Sequence, residues 1–174
     1  GNAYPHKNLE RLLEAFSTLN SQPSTLNLVL VGREDYFYRR LKEKVREMKL
    51  SDKVIFLENV TDEELSNLYK NALALIMPSF MEGFGLPALE AMANKCLVLA
   101  TDIPSLRDTC GNAALYFNPL SVDELANKLN MITSHTTEYG GLEKLRKKGF
   151  ERAKKFSWQK MAQETLAVYE DAVK

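Results

Sequence analysis

Five short apolar runs alternate along the chain with longer segments of helical periodicity, and this alternation limits the fold more than any other feature. The runs are residues 26–31, 54–57, 73–77, 97–100 and 113–117. Each is apolar on both faces and too short for a core helix, as expected of strands in a parallel sheet covered on both sides. Between them, Leu9, Leu12, Leu13, Phe16 and Leu19 recur at helical spacing, as do Phe37, Leu41, Val45 and Met48. Thr61-Asp-Glu-Glu64 and Ser121-Val-Asp-Glu124 have the pattern of capping boxes. The first opens a helix to about Asn71; the second opens one carrying Val122, Leu125, Leu129 and Ile132. Residues 85–93 read as a helix with Pro87 tolerated in its first turn. Helix continues over 139–156, and then Trp158, Met161, Thr165, Tyr169 and Ala172 share one face. Trp158 is expected in the core or under a crossing helix. The 174 residues therefore form a single α/β domain, three-layered and Rossmann-like, with no internal repeat or linker.

Composition narrows the function classes. Lys+Arg and Asp+Glu are both 23, so the net charge is zero and nothing argues for a nucleic-acid partner. Cys96 and Cys110 lack metal-motif spacing and sit in apolar surroundings, which reads as buried thiols in a reducing, cytoplasmic setting. No apolar run approaches the ~18 residues of a membrane span. His6 and His135 are the only histidines and lack ligand spacing, so no metal site is expected. The stretch of Lys144, Arg146, Lys147, Lys148, Arg152, Lys154 and Lys155 reads as a solvated helix face. Its alternative is peripheral contact with anionic lipid.

Ligands of such sheets bind beyond the carboxyl ends of the strands. The loops to inspect are thus Gly32-Arg33-Glu34, Glu58-Asn59-Val60, residues 78–85 and Thr101-Asp102. The third carries the most chemistry: Pro78-Ser-Phe-Met-Glu82-Gly83-Phe84-Gly85-Leu86-Pro87-Ala88-Leu89-Glu90. Its two glycines permit close backbone approach to a ligand and positive φ. N–H groups of Gly85 and Leu86 at a helix start suit a phosphate. Glu82 lies in the loop and Glu90 more than a turn inside the helix, so two carboxylates can meet one ligand at different depths. On spacing alone, the segment also fits a plain loop with an exposed Glu82 and a Glu90 that is solvated or paired with Lys95.

The run Glu82-Gly-Phe-Gly-Leu-Pro-Ala-Leu-Glu90 resembles the Glu-x7-Glu motif of the group 1 family of retaining glycosyltransferases of the GT-B fold. The similarity extends to Lys7-Asn8, Val54-Ile-Phe-Leu, Glu64-Leu-Ser-Asn-Leu-Tyr69, Ala113-Ala-Leu-Tyr-Phe-Asn-Pro119 and Phe156-Ser-Trp158. The resemblance implies the C-terminal half of that fold, with its first strand preceding Gly1 and the acceptor domain lying outside these residues. It implies a nucleotide diphosphate sugar as donor substrate, with no further cofactor and no metal. Glu90 would bind the ribose hydroxyls and Glu82 the transferred sugar. Backbone groups of Gly83, Phe84, Gly85 and Leu86 would hold sugar and phosphate. Lys7 would neutralise the departing diphosphate, and the loop at Val60 would meet the base. Lys7 and Glu82 are thus the catalytic candidates; Asn2, Gly32, Arg33, Val60, Gly83, Phe84, Gly85, Leu86 and Glu90 are donor-binding candidates. Many members place an Arg about five residues before the Lys; here that position is Asn2, so one cationic contact is missing unless Arg33 or another side chain replaces it. A second departure is Asn94-Lys95-Cys96, where Gly and Pro are usual; a turn should tolerate it. No Asp-x-Asp occurs, in keeping with metal-independent transfer. The acceptor would be a sugar or a lipid-linked molecule held by the N-terminal domain. Two alternatives remain: a non-catalytic donor-binding module of a split transferase, and an epimerase, which the intact Glu-x7-Glu stretch disfavours.

Overall fold

A computed structural model of the chain describes residues 1–19, 26–134 and 139–173, so His135 lies outside the described residues. The five strands are β1 (Leu28–Val31), β2 (Val54–Leu57), β3 (Ala74–Met77), β4 (Leu97–Thr101) and β5 (Leu115–Phe117). All pairings are parallel, in the orders β1-β2 and β3-β4-β5. Helices α1 (Leu9–Ser17), α2 (Tyr36–Glu47), α3 (Asp62–Asn71), α4 (Leu86–Ala93), α5 (Pro104–Cys110), α6 (Val122–Thr133), α7 (Tyr139–Ala153) and α8 (Trp158–Ala172) surround them.

Two apolar cores make the three layers. Leu12, Leu13 and Phe16 of α1, Leu41 and Val45 of α2, and Leu125 and Leu129 of α6 pack on one sheet face. Ala88, Ala91 and Met92 of α4, Leu106 and Cys110 of α5, and Tyr69 of α3 pack on the other. Strand β4 serves both: Leu99 points into the first core, Val98 and Ala100 into the second. This is the strand alternation of period two, with both faces buried.

Between the two sheet segments lies a cavity of about 1490 Å³, lined along its length by β1 and β3. Among the described residues no strand bridges these two, so each has one unpaired edge. The Gly1 amine donates to the Val31 carbonyl at 2.6 Å and so sits at the carboxyl end of β1.

Several local expectations need correction. The Thr61–Glu64 capping box forms in full. At Ser121 only half forms: its hydroxyl accepts from the Glu124 N–H, while the Glu124 carboxylate turns to the Asn118 N–H. Trp158 is 70 % exposed and α8 buries none of its residues, because no described layer faces its apolar stripe. Helix α5 and a short 3-10 helix at Pro5–Lys7 add to the elements expected from periodicity. Lys95 takes the left-handed conformation (φ 59°) where glycine is usual and lays its ammonium over the Phe150 ring instead of pairing with Glu90. The basic stretch is not wholly solvated. Arg152 donates to the Thr109 and Asp108 carbonyls that end α5, and Arg146 donates to the Leu73 carbonyl.

Gly85 caps α4 at φ 88°, and a Cβ there would lie 2.7 Å from Cδ2 of the fully buried Leu106. Gly85→Ala therefore adds backbone strain to an overpacked contact, about 2 kcal/mol together. Its melting temperature should fall by about 4–8 °C. An unchanged melting temperature in a thermal scan would show that the loop relaxes freely.

Candidate functional site

The site forms because three loops beyond the strand ends are bolted to one another. Asn8 is the bolt. It is buried and left-handed (φ 55°, ψ 33°), and stands between the 3-10 helix and α1. Asparagine tolerates this backbone better than most residues. Its Nδ2 donates to the Pro78 carbonyl just past β3 (2.9 Å) and to the Pro119 carbonyl just past β5 (3.0 Å). The Phe80 N–H donates to the His6 carbonyl at 2.8 Å, fastening the 78–85 loop to the same turn. His6 is thus half-buried and holds the loop by its backbone. Two hydroxyls complete the frame. Thr101 Oγ1 donates to the Ser79 carbonyl at 2.6 Å, and Thr109 Oγ1 donates to the Phe84 carbonyl.

This frame presents Lys7 to Glu82. Lys7 Nζ donates to Glu82 Oε1 at 2.8 Å and to Oε2 at 2.9 Å. The Ser79 hydroxyl donates to Oε1 at 2.6 Å. The Glu82 side chain is only 11 % exposed, so all three bonds work in partly desolvated surroundings.

Glu90 projects from α4 eight positions later and accepts from the Tyr69 hydroxyl at 3.1 Å. Burial first, and then the Glu90 charge, push the Tyr69 phenol well above its ordinary pKa, so it keeps its proton and donates. No side chain caps α4; Pro87 has no N–H, and the Ala88 N–H is spent on the Gly85 carbonyl. What the helix start can offer an anion is therefore the N–H groups of Gly85 and Leu86.

The expected residues divide into two groups. Asn2, Lys7, Val60, Glu82 and Glu90 all line the one cavity. Gly32, Arg33, Gly83, Phe84, Gly85 and Leu86 do not line it. Gly32 abuts the Gly1 carbonyl and the Tyr38 hydroxyl so closely that any Cβ would clash with both. Arg33 is exposed on the loop after β1. Phe84 is 45 % exposed and meets Phe156 edge-on, with ring centroids 5.7 Å apart. Asn8, Tyr69, Ser79 and Thr109 have site contacts that the motif alone does not announce. Among the described residues, no group of three His, Cys, Asp or Glu side chains is placed to hold a metal ion.

A doubly covered parallel sheet with these loops at its carboxyl edge defines a Rossmann-like α/β domain, a class whose ligands bind at that edge. Comparison with known proteins makes the assignment sharper. The family described as glycosyl transferases group 1 matches residues 1–156. The chain belongs to that family and has the fold of the C-terminal half of a GT-B enzyme. It is 41% identical over 120 residues to the O-antigen chain mannosyltransferase RfbU of Salmonella typhimurium, covering 68% of this chain and 33% of that protein. It is 31% identical over 174 residues to O-antigen chain mannosyltransferase B of Escherichia coli, covering 97% of this chain and 44% of the relative. Sucrose-phosphate synthase from Thermosynechococcus elongatus superposes with a TM-score of 0.84 at 29% identity, over 99% of this chain and 44% of that one. The chain thus spans less than half the length of these relatives.

Asn8 offers a test of the frame. Asn8→Gly keeps the backbone but loses both Nδ2 bonds and the 3.3 Å bond that Oδ1 accepts from Arg11, at a cost of about 2 kcal/mol. Asn8→Ala adds left-handed strain of about 1 kcal/mol more. Urea denaturation should rank the unaltered protein above Asn8→Gly, and Asn8→Gly above Asn8→Ala. An alanine variant as stable as the glycine variant would refute the account of this turn.

Proposed function

We propose that the chain is the donor-binding half of a retaining, metal-independent glycosyltransferase, and that its donor is a nucleoside diphosphate hexose. The observation that carries this reading is that Lys7, Val60, Glu82 and Glu90, all from segments outside the strands, line one end of the gap between β1 and β3, with Lys7 paired to Glu82 just past β3. The names of the mannosyltransferase relatives favour mannose as the sugar, and the acceptor is a sugar or a lipid-linked molecule. Glu90 accepts from the ribose hydroxyls, and Glu82 from the transferred sugar. The Val60 loop meets the base; Gly83, Phe84, Gly85 and Leu86 supply backbone groups to sugar and phosphate. Lys7 draws the diphosphate, with Asn2 beside it on the same gap. In the transfer step the anomeric carbon–oxygen bond to the diphosphate breaks. The acceptor hydroxyl bonds the anomeric carbon on the same face, and its proton passes to the departing diphosphate.

Two features of the longer protein follow from the same reading. The gap between β1 and β3 accommodates one more parallel strand, contributed by chain preceding Gly1. The acceptor is held by an additional N-terminal domain, since the relatives are more than twice as long. The protein works in the cytoplasm, which suits two buried free thiols. The exposed Lys144, Lys147, Lys148 and Lys155 allow peripheral contact with anionic lipid. Among the described residues no helix is long and apolar enough to cross a membrane.

Calorimetry with UDP and GDP tests the donor site. Binding of at least one is expected, and Glu90→Ala should weaken it about tenfold, as befits a lost charged acceptor. EDTA should leave the affinity unchanged. No heat with either nucleotide at millimolar concentration, or a large loss on chelation, would overturn the reading.

Transfer needs donor and acceptor held together, and such positioning supplies about 7–11 kcal/mol of a barrier. A labelled-sugar assay should thus show transfer by the two-domain protein and none by these 174 residues. In the longer protein Lys7→Ala should lower turnover more than donor affinity, because charge on the diphosphate grows toward the transition state. Equal loss in both would remove Lys7 from the chemical step.

A further inference from the structure

Glu90 is exposed on α4 between the buried Ala88 and Ala91, and a free carboxylate there would sample several rotamers and lose that freedom on binding a diol. It is not free. The Tyr69 hydroxyl donates to its Oε2 at 3.1 Å, from a ring that is itself packed in the second core. We infer that Tyr69 is a positioning residue for the ribose site: its hydroxyl holds the Glu90 carboxylate in the orientation that receives the two ribose hydroxyls. The inference rests on the proposed role of Glu90.

Three observations carry it beyond a single bond. Burial and the neighbouring Glu90 charge keep the phenol protonated, so the interaction has one polarity: Tyr69 donates and Glu90 accepts. Each carboxylate oxygen has two acceptor sites, so one bond at Oε2 leaves both oxygens able to accept from a ligand. A second link fixes the same pair of helices. The Ser66 hydroxyl donates to Asn94 Oδ1 at 2.7 Å, and Asn94 Nδ2 donates to the Glu90 carbonyl at 2.9 Å. Ser66 and Tyr69 are three apart on α3; Glu90 and Asn94 are four apart on α4 and its cap. Each pair shares one helix face. Glu90 is thus tied to α3 through both its side chain and its backbone.

The position of α3 gives this tie a purpose. The helix begins in the capping box at Thr61, directly after Val60, the residue assigned to the base. Tyr69 lies in its last turn. Base loop and ribose carboxylate are therefore the two ends of one stiff connection, Val60–α3–Tyr69–Glu90. A nucleoside presents its base and its ribose hydroxyls at a nearly fixed separation, and a rigid spacing on the protein matches it without an ordering cost at binding.

The test compares UDP and GDP with their 2′,3′-dideoxy counterparts, by calorimetry on the unaltered protein, Tyr69→Phe, Glu90→Ala and the double variant. Tyr69→Phe should weaken the ribonucleotides about fivefold and leave the dideoxynucleotides unchanged. Its preference for ribose should fall toward that of Glu90→Ala, and the double variant should bind no worse than Glu90→Ala alone. A purely structural role would instead weaken both ligand classes alike. The ribose-to-dideoxyribose ratio is measured within one variant, so it remains readable should Tyr69→Phe melt at a lower temperature. If Glu90→Ala abolishes the preference and Tyr69→Phe leaves it intact, the positioning role is wrong and the ribose site stands. If Glu90→Ala keeps the preference, or no nucleotide binds the unaltered protein, the role of Glu90 and the inference both fall.

Discussion

Strand β4 is the constraint on which the rest depends. All five of its residues, Leu97 to Thr101, are buried, and none can be exchanged for a polar residue facing water. Leu99 closes the core under α1, α2 and α6, while Val98 and Ala100 close the one under α4 and α5. A strand with two apolar faces demands helices on both, and short crossovers between parallel strands supply them. Its last residue then reaches the site. Thr101 is fully buried, and its hydroxyl fixes the Ser79 carbonyl, two residues past the end of β3. One strand thus sets the layers and begins the frame of the binding edge.

That frame consists mostly of uncharged bonds to backbone carbonyls. Asn8 holds Pro78 and Pro119, Thr101 holds Ser79, and Thr109 holds Phe84. Buried carbonyls without partners are costly, so each bond both satisfies a group and fixes a loop. The charged residues lie toward the cavity, held by this frame: Lys7 against Glu82, and Glu90 against Tyr69. Such an arrangement leaves the frame itself little affected by salt, because its bonds join uncharged groups.

The sequence made the fold class and the motif legible and left the frame hidden, for physical reasons. Alternation of apolar runs and helical periodicity is a local signal, and it locates all five strands to within two residues at each end. The Glu82–Glu90 segment is contiguous, so it can be read whole. Tyr69 and Glu90, by contrast, are 21 positions apart, and Asn8 and Pro119 are 111 apart. No periodicity links them; only the folded sheet does. Helix α5 escapes such a reading because its seven residues are too few for a periodic pattern, although Pro104 at its start and Gly111 at its end are the expected punctuation. Trp158 reads as a core residue because its stripe is apolar. A helix stripe states that something covers it, yet not which part of which chain does so.

The Lys7–Glu82 pair shows how such a site can be both stable and ready for an anion. The ammonium and the carboxylate satisfy each other, with Ser79 adding a further donor to Oε1. Neither charge is left unpaired in partly desolvated surroundings, which would be far costlier than the pair itself. On the proposed reading, a diphosphate brings more charge to Lys7 than Glu82 does, while the sugar hydroxyls bring donors to Glu82. Each residue then exchanges one partner for another, and the net gain is the difference between them. On the same reading, Lys7 would interact most strongly where phosphate charge is greatest, at bond breaking, which is the condition for its binding energy to appear as rate.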